Sequence, residues 1–281
     1  MILVTGANGV VGYAIQQLFE PKACIRVSRS AENGDFIWDM ENPETIKLPA
    51  VSQLIHCAPI WLLPAHLTTL YKAGVRHFTV FSSTSVLSKA TSENTVEQQL
   101  VERLASAEQA ISGFCAERDL SLTILRPSLI YGYGRDQNIT HIAGFISRFG
   151  FAVVAGRAQG LRQPVHADDL ARVCLQLSHN PQQGQQIYAV AGLDVITYRA
   201  MLKSIFIGLG KRPVIISIPV WSLRLVLRLA SKLGRFDYTA DMADRMQQNL
   251  MYDNQPAIDA LGYKPSTFLD NPKRDLPDYV A

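Results

Sequence analysis

Cysteine is scarce in this 281-residue chain: Cys24, Cys57, Cys115 and Cys174 stand far apart and form no CxxC pair. That spacing excludes a disulfide framework, offers no zinc knuckle and suits a reducing cytoplasm. Charge of either sign is modest. Lysines and arginines number 27 against 24 aspartates and glutamates, a net charge of +3 with no contiguous like-charge block, so nucleic-acid binding driven by phosphate neutralisation is not expected. The chain does not open on a charged segment followed by a short apolar core, so no secretory signal is read. The longest uncharged stretch, Leu48 to Tyr71, is broken by Pro49, Pro59, Pro64, His56 and His66. It reads as a strand, a loop and a helix rather than a membrane span.

A hydrophobic fraction of 48% and a charged fraction of 18% are globular values, which excludes a disordered chain or a fibrous rod. Short apolar runs alternate with helical patterns, the signature of an α/β chain with parallel strands and crossover helices. Strands are expected at Ile2 to Thr5, Cys24 to Ser28, Phe36 to Trp38, Gln53 to Cys57, His77 to Ser82, Ser121 to Arg126 and Gln186 to Val190. The longest helical pattern runs from Val96 to Arg118. Glycines punctuate the chain after Arg126-Pro127, and helical patterns dominate after Gly192: Thr197 to Leu209, Val220 to Leu233 and Asp241 to Leu250. The expected organisation is a doubly wound, Rossmann-type sheet domain from residues 1–130 and 163–192, with a smaller, mostly helical substrate-binding cap from 131–162 and 193–281.

Between the first strand and first helix stands Thr5-Gly6-Ala7-Asn8-Gly9-Val10-Val11-Gly12. Gly6 suits a tight turn, Gly9 lets backbone approach a pyrophosphate, and Gly12 lets the helix pack closely on the sheet. The helix N-terminus then offers free N–H groups and a positive dipole end to phosphate.

This Thr-Gly-x-x-Gly-x-x-Gly loop resembles that of the extended and atypical short-chain dehydrogenase/reductases, the NAD-dependent epimerase/dehydratase group. Further segments agree in order: Leu54-Ile55-His56-Cys57-Ala58, Phe81-Ser82-Ser83-Thr84-Ser85-Val86, Leu125-Arg126-Pro127 through Tyr131-Gly132, Gln163-Pro164-Val165-His166-Ala167-Asp168-Asp169-Leu170-Ala171, and Leu261-Gly262-Tyr263-Lys264-Pro265. The resemblance implies an NAD(P) site lined by Gly6, Asn8, Gly9, Val10, Val11 and Gly12, by Arg29, Ser30 and Asp39, and by Cys57, Ala58, Pro59, Ser82, Ser83 and Pro127. It implies a small-molecule substrate, a nucleoside-diphosphate sugar or another carbonyl compound, near Thr84, Tyr131 and His166. It also implies that the long helix can build a homodimer interface.

NAD enzymes usually end the second strand in Asp or Glu, which binds the ribose hydroxyls. This chain reads Val27-Ser28-Arg29-Ser30, which favours NADP over NAD because Arg29 can clamp a 2′-phosphate. The alternative is that Arg29 only stacks on adenine. Asp39 matches an adenine-contacting position, or serves a turn.

The family's acid/base pair is missing. Its Tyr and Lys, four residues apart, precede an Ala-Glu that Ala107-Glu108 resembles, and counting back puts Leu100 and Leu104 at their places. No tyrosine lies between Tyr71 and Tyr131, and Lys89 is the one lysine between Lys72 and Lys203. Thr84 keeps the Ser/Thr position that orients a substrate oxygen, which leaves Lys89, Glu97 or Tyr131 as replacement acid/base groups. Atypical members often lack the pair, so a catalytically inactive cofactor-binding sensor or assembly module is the rival expectation. His56, ending an apolar strand, reads as a core histidine. His166 borders the substrate side, while Asp168 and Asp169 cap the next helix. Arg224, Arg228 and Lys232 share one helix face; the plain reading is a solvated face, and the sharper one makes Arg224 a phosphate clamp for a nucleotide sugar.

Overall fold

The computed structural model describes residues 1–29, 34–42, 46–90, 92, 94–223 and 241–276. Ser30, Arg224 and most of the helix expected from Val220 to Leu233 lie outside the described residues. In chain order the strands of the main sheet are β1 (Ile2–Thr5), β2 (Cys24–Ser28), β3 (Phe36–Ile37), β4 (Gln53–His56), β5 (His77–Phe81), β6 (Ser121–Pro127) and β7 (Gln185–Val190). The helices used below are α1 (Val10–Leu18), α2 (Leu67–Lys72), α3 (Ser85–Ser88), α4 (Thr95–Ala116), α5 (Ile139–Phe149), α6 (Ala167–His179), α7 (Tyr198–Gly208), α8 (Asp241–Arg245) and α9 (Gln255–Leu261).

All seven strands pair in parallel in the order β7-β6-β5-β4-β1-β2-β3. Strands so placed are covered on both faces, and Leu3, Val4, Leu54, Val80 and Ile124 are correspondingly buried. The order reverses between β1 and β4, which pair with Leu3 beside Leu54 and Thr5 beside His56. A reversal of this kind opens a crevice at the carboxyl ends of the two strands, where ligands of open α/β sheets bind. Leu48 to Tyr71 folds as expected into β4, a loop and the start of α2. Among the described residues no helix is long and apolar enough to cross a membrane.

The chain divides into two compact units. Unit 1 holds Met1–Ser128, Val165–Ala191 and Asp253–Pro265; unit 2 holds Leu129–Pro164, Gly192–Tyr252 and Ser266–Ala281. The segment Asp253–Pro265, expected with residues 193–281, instead packs within unit 1. Its physical reason lies at the end of β7: the Ala191 N–H donates to Asn254 Oδ1 at 2.8 Å, and the Ala191 carbonyl accepts from Asn254 Nδ2 at 2.9 Å and from the Tyr263 hydroxyl at 2.8 Å. Helix α9 follows, packing on β7 and α6.

Unit 2 is smaller. Ala152–Ala155 pairs in parallel with Ile215–Ile218, and Leu161–Arg162 pairs antiparallel with Ile196–Thr197. Helices α5 and α7 close its core around Ile139, Ile146, Val154, Ile205 and Phe206. Asp136 starts α5 by accepting the N–H groups of Asn138 at 2.9 Å and Ile139 at 2.6 Å.

Candidate cofactor and substrate site

The glycine loop sits where β1 meets β4. Gly6 has φ +68°, and a Cβ there would lie 2.5 Å from the Ala58 nitrogen, so the loops after β1 and β4 touch only because this residue has no side chain. At Gly12 a Cβ would strike the Gly6 carbonyl oxygen at 2.4 Å and the Ala7 Cα at 2.6 Å. Gly12 therefore sets how closely α1 lies on its own loop. Gly9 differs from both: an added Cβ would meet only the Gly6 oxygen, at 3.3 Å. It also caps α1 without a side-chain hydrogen bond, and no acidic residue stands in that helix's first turn. The positive end of α1, with Val10 and Val11 as its first residues, is left to whatever anion approaches Gly9. These features fit a dinucleotide pyrophosphate.

Beside this loop, Asn8 Nδ2 donates to Ser28 Oγ at 2.9 Å, tying the turn to the end of β2. Arg29, the next residue, is exposed. The nearby carboxylate is already engaged: Asp35 accepts from Arg26 Nε at 2.9 Å and Nη2 at 2.6 Å, and those bonds hold its pKa down to about 2. Asp39 accepts the Glu41 N–H at 3.2 Å, a turn contact.

On the β4 side, Cys57 continues the ladder by donating its N–H to the Thr5 carbonyl at 3.0 Å. His56 is fully buried, with Nδ1 2.7 Å from Thr5 Oγ1 and Nε2 3.3 Å from the Pro59 carbonyl. Burial lowers its pKa to about 4, so at neutral pH it is an uncharged imidazole joining two strand ends. Ile60 and Leu63, just past Pro59, belong to the core that also takes Leu104 of α4.

The loop after β5 is polar and fully partnered. Ser82 Oγ donates to Glu108 Oε1 at 2.5 Å, and the Arg126 guanidinium clamps the same carboxylate through Nε at 3.0 Å and through Nη2. Ser83 Oγ caps the turn by accepting the Ser85 N–H at 3.1 Å. Thr84 is buried, and both its N–H and its hydroxyl donate to the Pro127 carbonyl at 3.1 Å. The Ser82–Glu108–Arg126 cluster was not foreseen as a unit, although Ala107-Glu108 and Arg126-Pro127 both carried the sequence resemblance.

On helix α4 the two leucines face the core. Leu104 is buried in the core and Leu100 packs against it. Of the polar groups considered as replacements, Lys89 Nζ and Glu97 Oε1 lie 3.2 Å apart, and Ser92 Oγ donates to Glu97 Oε2 at 2.7 Å. Glu97 stands in the first turn of α4, capped by Asn94, on the helix stripe that continues through Leu100 and Leu104.

Tyr131, the third candidate, is 1% exposed within unit 2. Its hydroxyl donates to the Thr267 carbonyl at 3.4 Å and accepts the Leu269 N–H at 3.0 Å, and its ring meets Phe268 edge-on. That is the environment of a core tyrosine. His166 is also buried, and here the structure corrects the expected cap: His166 Nδ1 itself accepts the Asp168 N–H at 3.0 Å and starts α6. Asp168 and Asp169 occupy the first turn, where the helix dipole favours them, and Asp169 pairs with Arg172.

Residues 64–191 match the model of the NAD dependent epimerase/dehydratase family. Over that stretch the chain resembles the family. The chain is 21% identical to UDP-glucose 4-epimerase of Vibrio cholerae, over 94% of its own length and 90% of that protein. It is 28% identical to an uncharacterized protein, y4nG, of Sinorhizobium fredii, over 68% of its length and 50% of that protein. Among solved structures it shares its fold with UDP-glucuronic acid 4-epimerase from Bacillus cereus, solved in complex with UDP-glucuronic acid and NAD, at TM-score 0.71 and 16% identity over 98% and 97% of the two chains. UDP-glucose 4-epimerase from Thermotoga maritima, solved with UDP-glucose, aligns at TM-score 0.68 and 18% identity over 95% and 94%.

Proposed function

We infer that this chain binds a nicotinamide dinucleotide at the carboxyl ends of β1 and β4, prefers NADP(H), and acts on a nucleoside-diphosphate sugar or another small carbonyl compound. The carrying observation is the glycine loop: open space over Gly9, an uncapped α1 and a close contact at Gly6 make a cradle that a pyrophosphate fits. Asn8, Val10, Val11, Cys57, Ala58, Pro59, Ser82, Ser83 and Pro127 line the same ends of the sheet in this reading. Arg29 meets the 2′-phosphate, and Asp39 lies on the adenine side. The bound nicotinamide supplies hydride exchange. Thr84 orients the substrate oxygen, and His166 lies on the substrate side. With leucines at 100 and 104, proton transfer falls to the paired Lys89 and Glu97. Homodimerisation through α4 belongs to the same reading.

One observation favours the inactive rival: Leu104 is part of the core and the Thr84 hydroxyl is already spent on a backbone carbonyl. Titration with NADPH and NADH, followed by nicotinamide fluorescence, separates the readings. We expect NADPH to bind more tightly than NADH, Arg29→Ala to erase the difference, and Gly9→Asp to abolish both by placing a carboxylate in the cradle. Failure of both nucleotides to bind would overturn the cofactor reading. Binding without hydride transfer across a panel of nucleotide sugars and simple carbonyls would favour the sensor or assembly module.

A further inference from the structure

Unit 2 carries an apolar face that its own core covers only in part. In the parallel pair of Ala152–Ala155 with Ile215–Ile218, Ile216 stands beside Val153, and alternation puts Val214 and Phe151 on that same side. Phe151 meets Phe145 at 5.7 Å and Phe149 at 6.4 Å between ring centroids, extending the face onto the end of α5. Three of these side chains remain open to solvent: Phe149 at 50%, Val214 at 47% and Ile216 at 45%. Trp221, three residues beyond the strand, is 69% exposed. Monomeric proteins seldom leave clustered aromatic and branched side chains uncovered without a use.

The chain segments that build this face are poor in carboxylates. No aspartate or glutamate lies between Asp136 and Asp168, and none between Asp194 and Asp237, although the second interval holds eight arginines and lysines. Of those eight, Arg199, Lys203, Lys211 and Arg212 lie among the described residues. Lys211 and Arg212 lead directly into Val214, and the Arg148 guanidinium lies 5.2 Å from the Phe149 ring centre. Exposed aromatic and branched side chains with Arg148, Lys211 and Arg212 beside them match the two layers of a lipid interface, acyl chains below and anionic headgroups above.

We propose that this face of unit 2 docks on an anionic bilayer surface, with Phe149, Val214 and Ile216 entering the interface and Arg148, Lys211 and Arg212 meeting the headgroup phosphates. The contact is peripheral and does not depend on the cofactor site. A second copy of the chain fits less well, because face-to-face association would bring like charges together.

The test is sedimentation of the full chain with vesicles of phosphatidylcholine alone and with phosphatidylglycerol mixed in. Binding should appear only with the anionic lipid and weaken as salt is raised. Lys211→Ala with Arg212→Ala should lower partitioning about fivefold for each charge removed. Phe149→Ser with Ile216→Ser should abolish it while circular dichroism and Tm stay unchanged, since both side chains are exposed. Equal binding to neutral vesicles, or none to either, overturns the proposal. So does a dimer in solution that Phe149→Ser with Ile216→Ser dissociates, or binding to duplex DNA that those variants leave intact.

Discussion

His56 is a histidine that the fold keeps uncharged. Its buried ring bridges the ends of β1 and β4, and its pKa falls from 6.5 to about 4 because burial disfavours the cation. The unfolded chain therefore binds the extra proton first. The stabilisation is complete above pH 6.5 and is lost as pH falls towards 4, amounting to about 2 kcal/mol at pH 5 relative to pH 8. Urea unfolding at the two pH values should show that loss, and His56→Asn should flatten it whatever it does to stability at pH 8. An unchanged slope would mean that His56 is not the group responsible. At this scale the sequence was partly legible. A histidine closing an apolar strand reads as a core residue from its neighbours alone, and so it is. The partners of Tyr131 and the cap of α6 were not legible, because Thr267 and Leu269 for the one and His166 for the other are set by folding and not by local pattern.

Among the elements, β5, α4 and β6 are joined by a single carboxylate. Glu108 projects from α4 to Ser82 just past β5 and to Arg126 on β6, so the longest helix is pinned to the sheet at a buried ion pair. Removing one partner leaves a charge inside the fold. Arg126→Met should cost about 3 kcal/mol in urea unfolding, and adding Glu108→Gln should recover most of it. Strictly additive losses would show that the pair does not act as a unit. The strands themselves were legible almost to the residue, because an apolar run buried on both faces and bounded by turn residues carries its own limits. The two-stranded pairs of unit 2 were not, since Ala152–Ala155 and Ile215–Ile218 meet across some sixty residues of intervening chain.

At the scale of the whole molecule, unit 1 is sewn from three separated stretches, and the last of them was the one the sequence misplaced. Gly192 marked a change in composition, yet nothing local announces that Asn254 and Tyr263 return to Ala191. A chain ending at Tyr252 keeps all seven strands and loses the segment that closes the end of β7. We expect it to unfold at lower urea than the full chain and to leave Cys174, buried in the helix α6 on which α9 packs, more reactive towards thiol reagents. Unchanged protection of Cys174 would show that Asp253–Pro265 is dispensable.

The late return of that segment bears on biosynthesis. A ribosome releases β1 to β6 before β7, and these strands can pair as they emerge, but the end of β7 is not closed until Pro265 has cleared the exit tunnel. Some seventy-five residues are translated between Val190 and that closure. The last edge of the sheet is therefore finished well after its strands have been made.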